Sequence, residues 1–156
     1  MDLAIDFEKI FDDIPVALLI EDLSKVKTII QGLQENGITD FQAYFDEYPQ
    51  SVIECYQAIH PSVILNKAML DYFKASSYEE LMHWIDNGDA FNSTVDTNFK
   101  PLFIAFAQGK TQFSKETVEQ TMDGTFVHAY VTWKIATGWE DSWGRVIVSA
   151  IPLQEA

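Results

Sequence analysis

The sequence predicts an α+β fold, helical over its first two thirds and strand-rich over its last third. Three observations lead there. Up to Gly109 the apolar residues recur at three- and four-residue spacing, beyond it they alternate one by one, and Asp123-Gly124 falls between two alternating stretches where a hairpin needs its turn. With 156 residues the chain is read as one domain spanning 1–156. A chain of this length buries roughly 70% of its extended surface, so a core forms without metals or disulfides. The 47% hydrophobic and 13% aromatic fractions supply that core.

Taken in order, Asp6 to Phe11 is a short amphipathic helix ending before Pro15, and Val16 to Ile20 is an apolar run of strand length. Leu23, Val26, Ile29, Ile30 and Leu33 form a helical stripe, with Asp22 as cap and Gly37 as stop. Thr39 and Gln42 have capping-box spacing for a helix carrying Phe41, Tyr44, Phe45 and Tyr48, and Pro49 stops it. Gln50 to Ala58, with Val52, Ile53 and Tyr56, is a further helix that His60-Pro61 breaks. Ser62 to Leu65 is a short strand, after which Asn66 caps a helix carrying Met69, Leu70, Tyr72 and Phe73. Ser76-Ser77-Tyr78-Glu79 opens the next helix, with Leu81, Met82, Trp84 and Ile85 inside and Asn87-Gly88 at its end. Phe99, Leu102, Phe103 and Phe106 mark the last helix, begun near Asn98 because Pro101 is comfortable only in a first turn.

The strands follow as a meander: Phe113 to Met122, Thr125 to Ile135 and, after a loop from Ala136 to Ser142, Trp143 to Leu153. Alternation sets Val127, Ala129, Val131, Trp133 and Ile135 against Phe126, His128, Tyr130, Thr132 and Lys134. It likewise sets Val146, Val148 and Ala150 against Arg145, Ile147, Ser149 and Ile151. The first set of each is the buried face. The second is too apolar for a plain solvated surface, so a helix or another subunit is expected to cover it.

The net charge of −14 and pI near 4.3 exclude an electrostatic grip on nucleic acid or an anionic membrane, which needs clustered Lys and Arg. No apolar run approaches the roughly 20 residues of a membrane span, and Met1 to Ile10, with Asp2, Asp6 and Glu8, is no signal peptide. A single cysteine, Cys55, rules out an intrachain disulfide and fits a reducing cytoplasm. His60, His83 and His128 have no second ligand at metal spacing, so no metal is expected. No phosphate-binding glycine loop or nucleophile elbow occurs, and no catalytic residue is assigned.

The chain resembles the PAS sensor domains. The likeness is carried by Asn66-Lys67-Ala68 opening a helix that ends in Tyr72-Phe73, by Ser76-Ser77-Tyr78-Glu79-Glu80-Leu81, and by Thr121-Met122-Asp123-Gly124 before two long strands. Gly138-Trp139-Glu140 and Arg145-Val146-Ile147-Val148-Ser149 extend it, so that it covers most of Phe7 to Leu153 and is similar to the sensory domains of bacterial histidine kinases and diguanylate cyclases. The resemblance implies a PAS-like fold: an antiparallel five-stranded sheet with helices on one face, here with a helical insertion at about 21–57 between strands 1 and 2. It also implies a signal-sensing domain, not an enzyme, that passes a conformational change to a histidine kinase or diguanylate cyclase. Pro152-Leu153-Gln154 stands where such domains show an Asp-Ile-Thr-like triplet, so an excised domain or a stand-alone protein is expected.

By the same resemblance a small ligand would lie among Val127, Ala129, Val131, Trp133, Val146, Val148 and Ala150, roofed by Phe73, Phe103 and Phe106. Ala129 and Ala150 would leave the room. Packed core is the competing reading of the same stripe. A buried Thr117, Glu119 or Thr121 would need a partner, and a ligand could be that partner. Heme is disfavoured because Asn98 to Gln108 holds no histidine, and flavin photochemistry because Cys55 lies outside any Asn-Cys-Arg motif; no cofactor is assigned. A homodimer is expected in which Phe7, Ile10 and Phe11 cover Tyr130, Ile147 or Ile151. Two other readings compete: a ligand-free interaction module, and a cone-shaped α+β isomerase or dehydratase with His128 or Glu119 as base. The enzyme reading needs its base inside, whereas alternation puts His128 outside.

Overall fold

A computed structural model describes residues 6–86 and 95–154. Helix α1 (Phe7–Asp13) starts at Asp6, whose carboxylate accepts from Lys9 N, and leads into β1 (Ala17–Asp22). Three helices then intervene before the next strand: α2 (Ser24–Glu35), α3 (Phe41–Glu47) and α4 (Pro49–Gln57). Strand β2 (His60–Leu65), α5 (Lys67–Phe73) and α6 (Tyr78–Asp86) follow, then a π-helical turn (Val95–Phe99) running into α7 (Lys100–Ala107). The meander is β3 (Gln112–Gln120), β4 (Phe126–Ile135) and β5 (Val146–Pro152). All pairings are antiparallel, in the order β2-β1-β5-β4-β3. The five-stranded antiparallel sheet and the helical insertion between its first two strands are therefore as expected.

Several local assignments shift. Asp40, not Thr39, caps α3 by accepting from Ala43 N at 3.0 Å, because an aspartate one residue later reaches the free amides of the first turn. Helix α3 ends at Glu47, ahead of Pro49 as expected, and Pro49 itself opens α4, where its missing N–H is no loss. Tyr48 is thereby turned out, half exposed. Leu23 stands at the cap of α2, while Asp22 accepts from Ser24 N at 2.8 Å. The box at α6 is Ser77 with Glu80: Glu80 N donates to Ser77 Oγ, and Ser76 N and its hydroxyl donate back to Glu80. The expected helix end at Asn87-Gly88 lies outside the described residues.

The β3–β4 hairpin closes at Gln120 and Phe126, leaving a five-residue loop rather than the expected two-residue turn. The cause is the Asp123 carboxylate, which accepts from Thr121 Oγ1, Thr125 Oγ1 and Thr125 N, while Met122 N leaves the ladder to donate to Phe73 O. Gly124 holds φ +85°, a conformation that costs other residues dearly. Strand β5 begins at Val146 rather than Trp143, since Trp143 takes φ +58° and its carbonyl accepts from Leu23 N.

Asn66 ties the halves together. Fully buried, its Oδ1 accepts from Leu18 N and Met69 N, each at 3.0 Å, while Nδ2 donates to Ile14 O (3.2 Å) and Val16 O (2.8 Å). One side chain caps α5 and fixes the entry to β1. The core lies between one face of the sheet and the helices, around Phe41, Phe45, Met69, Leu102, Phe103, Phe106, Trp133 and Val146. No helix among the described residues is long and apolar enough to cross a membrane.

Candidate functional site

The strand registers define the inner face. Leu65, Leu19, Val148, Trp133 and Phe113 form one row across all five strands, and Ala17, Ala150, Val131 and Lys115 the next across four. Ala129, paired with Thr117, lies beyond them on β4. Ala17, Ala129 and Ala150 place methyl groups on three successive strands, so the face is shallow where a larger side chain would fill it.

The expected sheet residues Ala129, Val131, Trp133, Val146, Val148 and Ala150 are buried on this face, and Val127 is partly buried beside them. Of the helical residues, Phe103 and Phe106 are buried and Phe73 is partly so. They do not converge on one point. Phe73 packs on Tyr72 and Trp84, Phe103 on Phe99, and Phe106 on Trp143 at 5.3 Å between centroids. Phe106 also lines a separate groove of about 230 Å³ with Lys27, Gln31, Gln34 and Lys110.

Polar groups sit on the same inner face. Alternation along β3 turns Phe113, Lys115, Thr117 and Glu119 inward, opposite Trp133, Val131, Ala129 and Val127. Thr117 is 3% exposed and Thr121 1%. Thr121 is accounted for by the Asp123 turn. Oε1 of Glu119 accepts from the Tyr72 hydroxyl at 2.9 Å and from Thr117 Oγ1 at 3.3 Å. Burial raises the pKa of Glu119, and these two hydrogen bonds partly oppose that rise.

Strand β1 adds a group that sequence reasoning missed. Glu21 is paired with Val146, which places it on the inner face with Ala17 and Leu19. The residue keeps some exposed surface, but its Oε2 is shielded and has no hydrogen-bond partner among the described residues. Burial, and then the like charge of Glu119, push the Glu21 carboxyl up to about 7. The registers set these two carboxylates at opposite ends of the inner face, Glu21 in the row of Val146 and Ile135 and Glu119 in the row of Val127. Tyr56 of α4 feels burial and then both carboxylates, which lift its phenol to about 12; Tyr72 is raised by burial and by Glu119. Tyr56 stacks edge-on against Phe99 at 4.7 Å, and Phe99 against Trp133 at 6.0 Å. The missed signal was the step from Ile20 to Glu21, where an expected strand of Val16 to Ile20 ended two residues short of the observed end at Asp22.

Other candidates fall elsewhere. His128 lies on the outer face, with Nε2 3.4 Å from the exposed Glu116 carboxylate, so of the two bases of the enzyme reading His128 is outside and Glu119 is on the inner face. Cys55 is buried in α4, where desolvation and then Glu54 push its thiol up to about 12. Among the described residues no group of three His, Cys, Asp or Glu side chains could hold a metal. On the outer face Val118, Phe126, Tyr130, Ile147 and Ile151 are exposed. Phe7 and Ile10 of α1 are exposed as well, and Phe11 is partly buried, so in the single chain α1 leaves that face open.

This architecture is the PAS fold. It is similar in structure to the LOV protein of Rhodobacter sphaeroides, at TM-score 0.54 and 14% identity over 96% of this chain and 65% of that one. A domain of the sensory box sensor histidine kinase/response regulator from Geobacter sulfurreducens aligns at TM-score 0.49 and 10% identity, over 93% of this chain and 90% of that chain. No family model and no curated protein sequence matches the chain.

Proposed function

We propose that this chain is a cytoplasmic signal-sensing domain that holds a small ligand between the inner sheet face and helices α4, α5 and α7. Occupancy would bias one of two packings, and β5 with α1 would pass that bias to an output domain of the histidine kinase or diguanylate cyclase type. The observation that carries the reading is Glu21 Oε2, a shielded carboxylate oxygen without a donor on the inner face of a PAS fold. An interior built only for packing would hold an apolar side chain there, because a buried charge without a partner costs several kcal/mol. A ligand that supplies the donor removes that cost.

A second observation favours self-association. Phe126 is 68% exposed, Ile151 50% and Phe7 76%, and these lie on the outer face and on α1. A second copy of the chain would cover them, with Phe7, Ile10 and Phe11 against Tyr130, Ile147 and Ile151. Dimerisation alone, with no ligand, is the competing function. Native mass spectrometry of the purified protein, followed by thermal-shift screening, separates the two. Sensing predicts a retained or added small molecule that raises the melting temperature. An intact dimer that retains nothing and shifts with nothing overturns sensing in favour of the interaction module.

A further inference from the structure

The groove of about 230 Å³ beside Phe106 lies apart from the interior pocket, between helix α2 and the turn that leads from α7 into β3. Lys27, Gln31 and Gln34 fall about one turn apart along α2 and share one of its faces. Lys110 comes from the α7–β3 turn, and the buried Phe106, Ile135 and Trp143 supply the apolar floor. Glu140 is the one carboxylate lining the groove among the described residues, and its Oε2 turns back to accept from Gly138 N at 2.8 Å. Two lysines against one glutamate leave the lining with a net charge of +1, in a chain whose own net charge is −14.

Neither lysine is ion-paired among the described residues. Packing accounts for the stem of Lys27, whose Nζ sits 5.1 Å from the Trp143 ring centre and donates one long bond, 3.5 Å, to Glu140 O. Lys110 has no such account. A lysine just past a helix commonly serves the last carbonyls of that helix. Those of α7 are already taken: Ile104 O by Gln108 N, Ala105 O by Lys110 N, Phe106 O by Gly109 N and Ala107 O by Gln34 Nε2. The Lys110 ammonium is therefore left without an acceptor among the described residues, beside a second ammonium that uses one of its three donors.

We infer that this groove binds a small organic monocarboxylate, its acid group held by Lys27, Lys110 and the Gln31 amide and its carbon body on Phe106, Ile135 and Trp143. The site is separate from the interior pocket and does not depend on it. A carboxylate accepts several charge-assisted bonds at once, which is what two ammonium groups and an amide offer. Its single negative charge matches the lining, whereas a phosphate monoester, at about −1.5 to −2 near pH 7, exceeds it. An amine would be repelled by both lysines. A cavity of about 150 Å³ holds benzene, so this groove has room for one ring with its acid group. Because the lysines come from the helical insertion and from the α7–β3 turn, a bound acid would tie those two parts together.

The test titrates the protein with benzoate, phenylacetate and cyclohexanecarboxylate, each beside its primary amide and its amine counterpart, and with inorganic phosphate, by calorimetry and thermal shift at pH 7 and low salt. At least one carboxylate should bind tenfold or more tightly than its amide, its amine and phosphate. That preference should fall at least tenfold in Lys110→Gln and in Gln31→Glu, which sets a negative charge in the groove, and persist in Lys134→Gln on the outer face. All three positions are exposed, so the ligand-free variants should keep the melting temperature of the parent. Carboxylate binding that survives both groove substitutions places the ligand elsewhere and overturns the site. Tighter binding of phosphate or of an amine overturns the chemical class, and absence of binding across the series overturns the inference outright. None of these outcomes touches the interior pocket, which is tested by what native mass spectrometry finds retained there.

Discussion

The Tyr72 hydroxyl donates a 2.9 Å hydrogen bond to Glu119 Oε1, joining helix α5 to the inner face of β3. Because Glu119 is raised by burial, the bond is one of two that let its charge persist inside the protein. Tyr72→Phe removes the donor and keeps the ring. We expect a loss of about 1–3 kcal/mol in urea denaturation at pH 8, shrinking at pH 4 where a protonated Glu119 is neutral. An equal loss at both pH values would show that packing, not the hydrogen bond, is what the tyrosine supplies.

Glu21 makes stability depend on pH in a defined direction. Its carboxyl is raised from 4.5 to about 7, so between those values the folded state holds a proton that the unfolded state has released. Unfolding free energy therefore falls as pH rises through that window, by on the order of 3 kcal/mol. Glu119 acts in the same direction, and the phenols of Tyr56 and Tyr72 titrate only above it. Asp123, held below the usual carboxylate range by Thr121 and then Thr125, acts oppositely and only toward acid pH. Glu21→Gln should flatten the fall, matching the parent at pH 4.5 and exceeding it at pH 8. Parallel stability curves for the two proteins would remove Glu21 as the cause.

Asn66→Ala removes four side-chain hydrogen bonds at once, to Leu18 N, Met69 N, Ile14 O and Val16 O, and leaves Met69 N with the Asn66 carbonyl alone. We expect about 3–5 kcal/mol of destabilisation, measured as a lower urea midpoint with an unchanged slope. Asn66→Asp keeps the acceptor and loses the two donated bonds, so it should fall between the two. A loss below 1 kcal/mol for Asn66→Ala would mean that water replaces the side chain.

Ile147→Glu puts a charge in the middle of the outer face, where Ile147 lies opposite Ile20 and Lys134. The proposed dimer should weaken roughly a hundredfold, giving the monomer mass in light scattering at micromolar protein with an unchanged melting temperature for the isolated chain. An unaltered dimer mass would place the interface elsewhere.

The Cys55 thiol, buried and pushed up to about 12, should resist a thiolate-specific disulfide reagent in the folded protein and react on unfolding in urea. A native labelling rate within tenfold of the unfolded rate would contradict that burial.

Much of this molecule is local in origin, and those parts were legible in the chain alone. The alternation from Val127 to Ile135 and from Val146 to Ala150 assigns the buried face of two strands, because side chains on neighbouring positions must point apart. The Asn66 cap and the last-helix placement of Pro101 follow from backbone groups within one turn. What β1 pairs with, and hence that Glu21 lies on the same inner face as Glu119, depends on partners far along the chain: Val146 beside the first, Val127 beside the second. A carboxylate is chemically at home on a solvated strand, so nothing near Glu21 in the sequence marks it as buried. Only strand order, which brings distant stretches of chain onto one sheet, sets two ordinary glutamates on the same inner face.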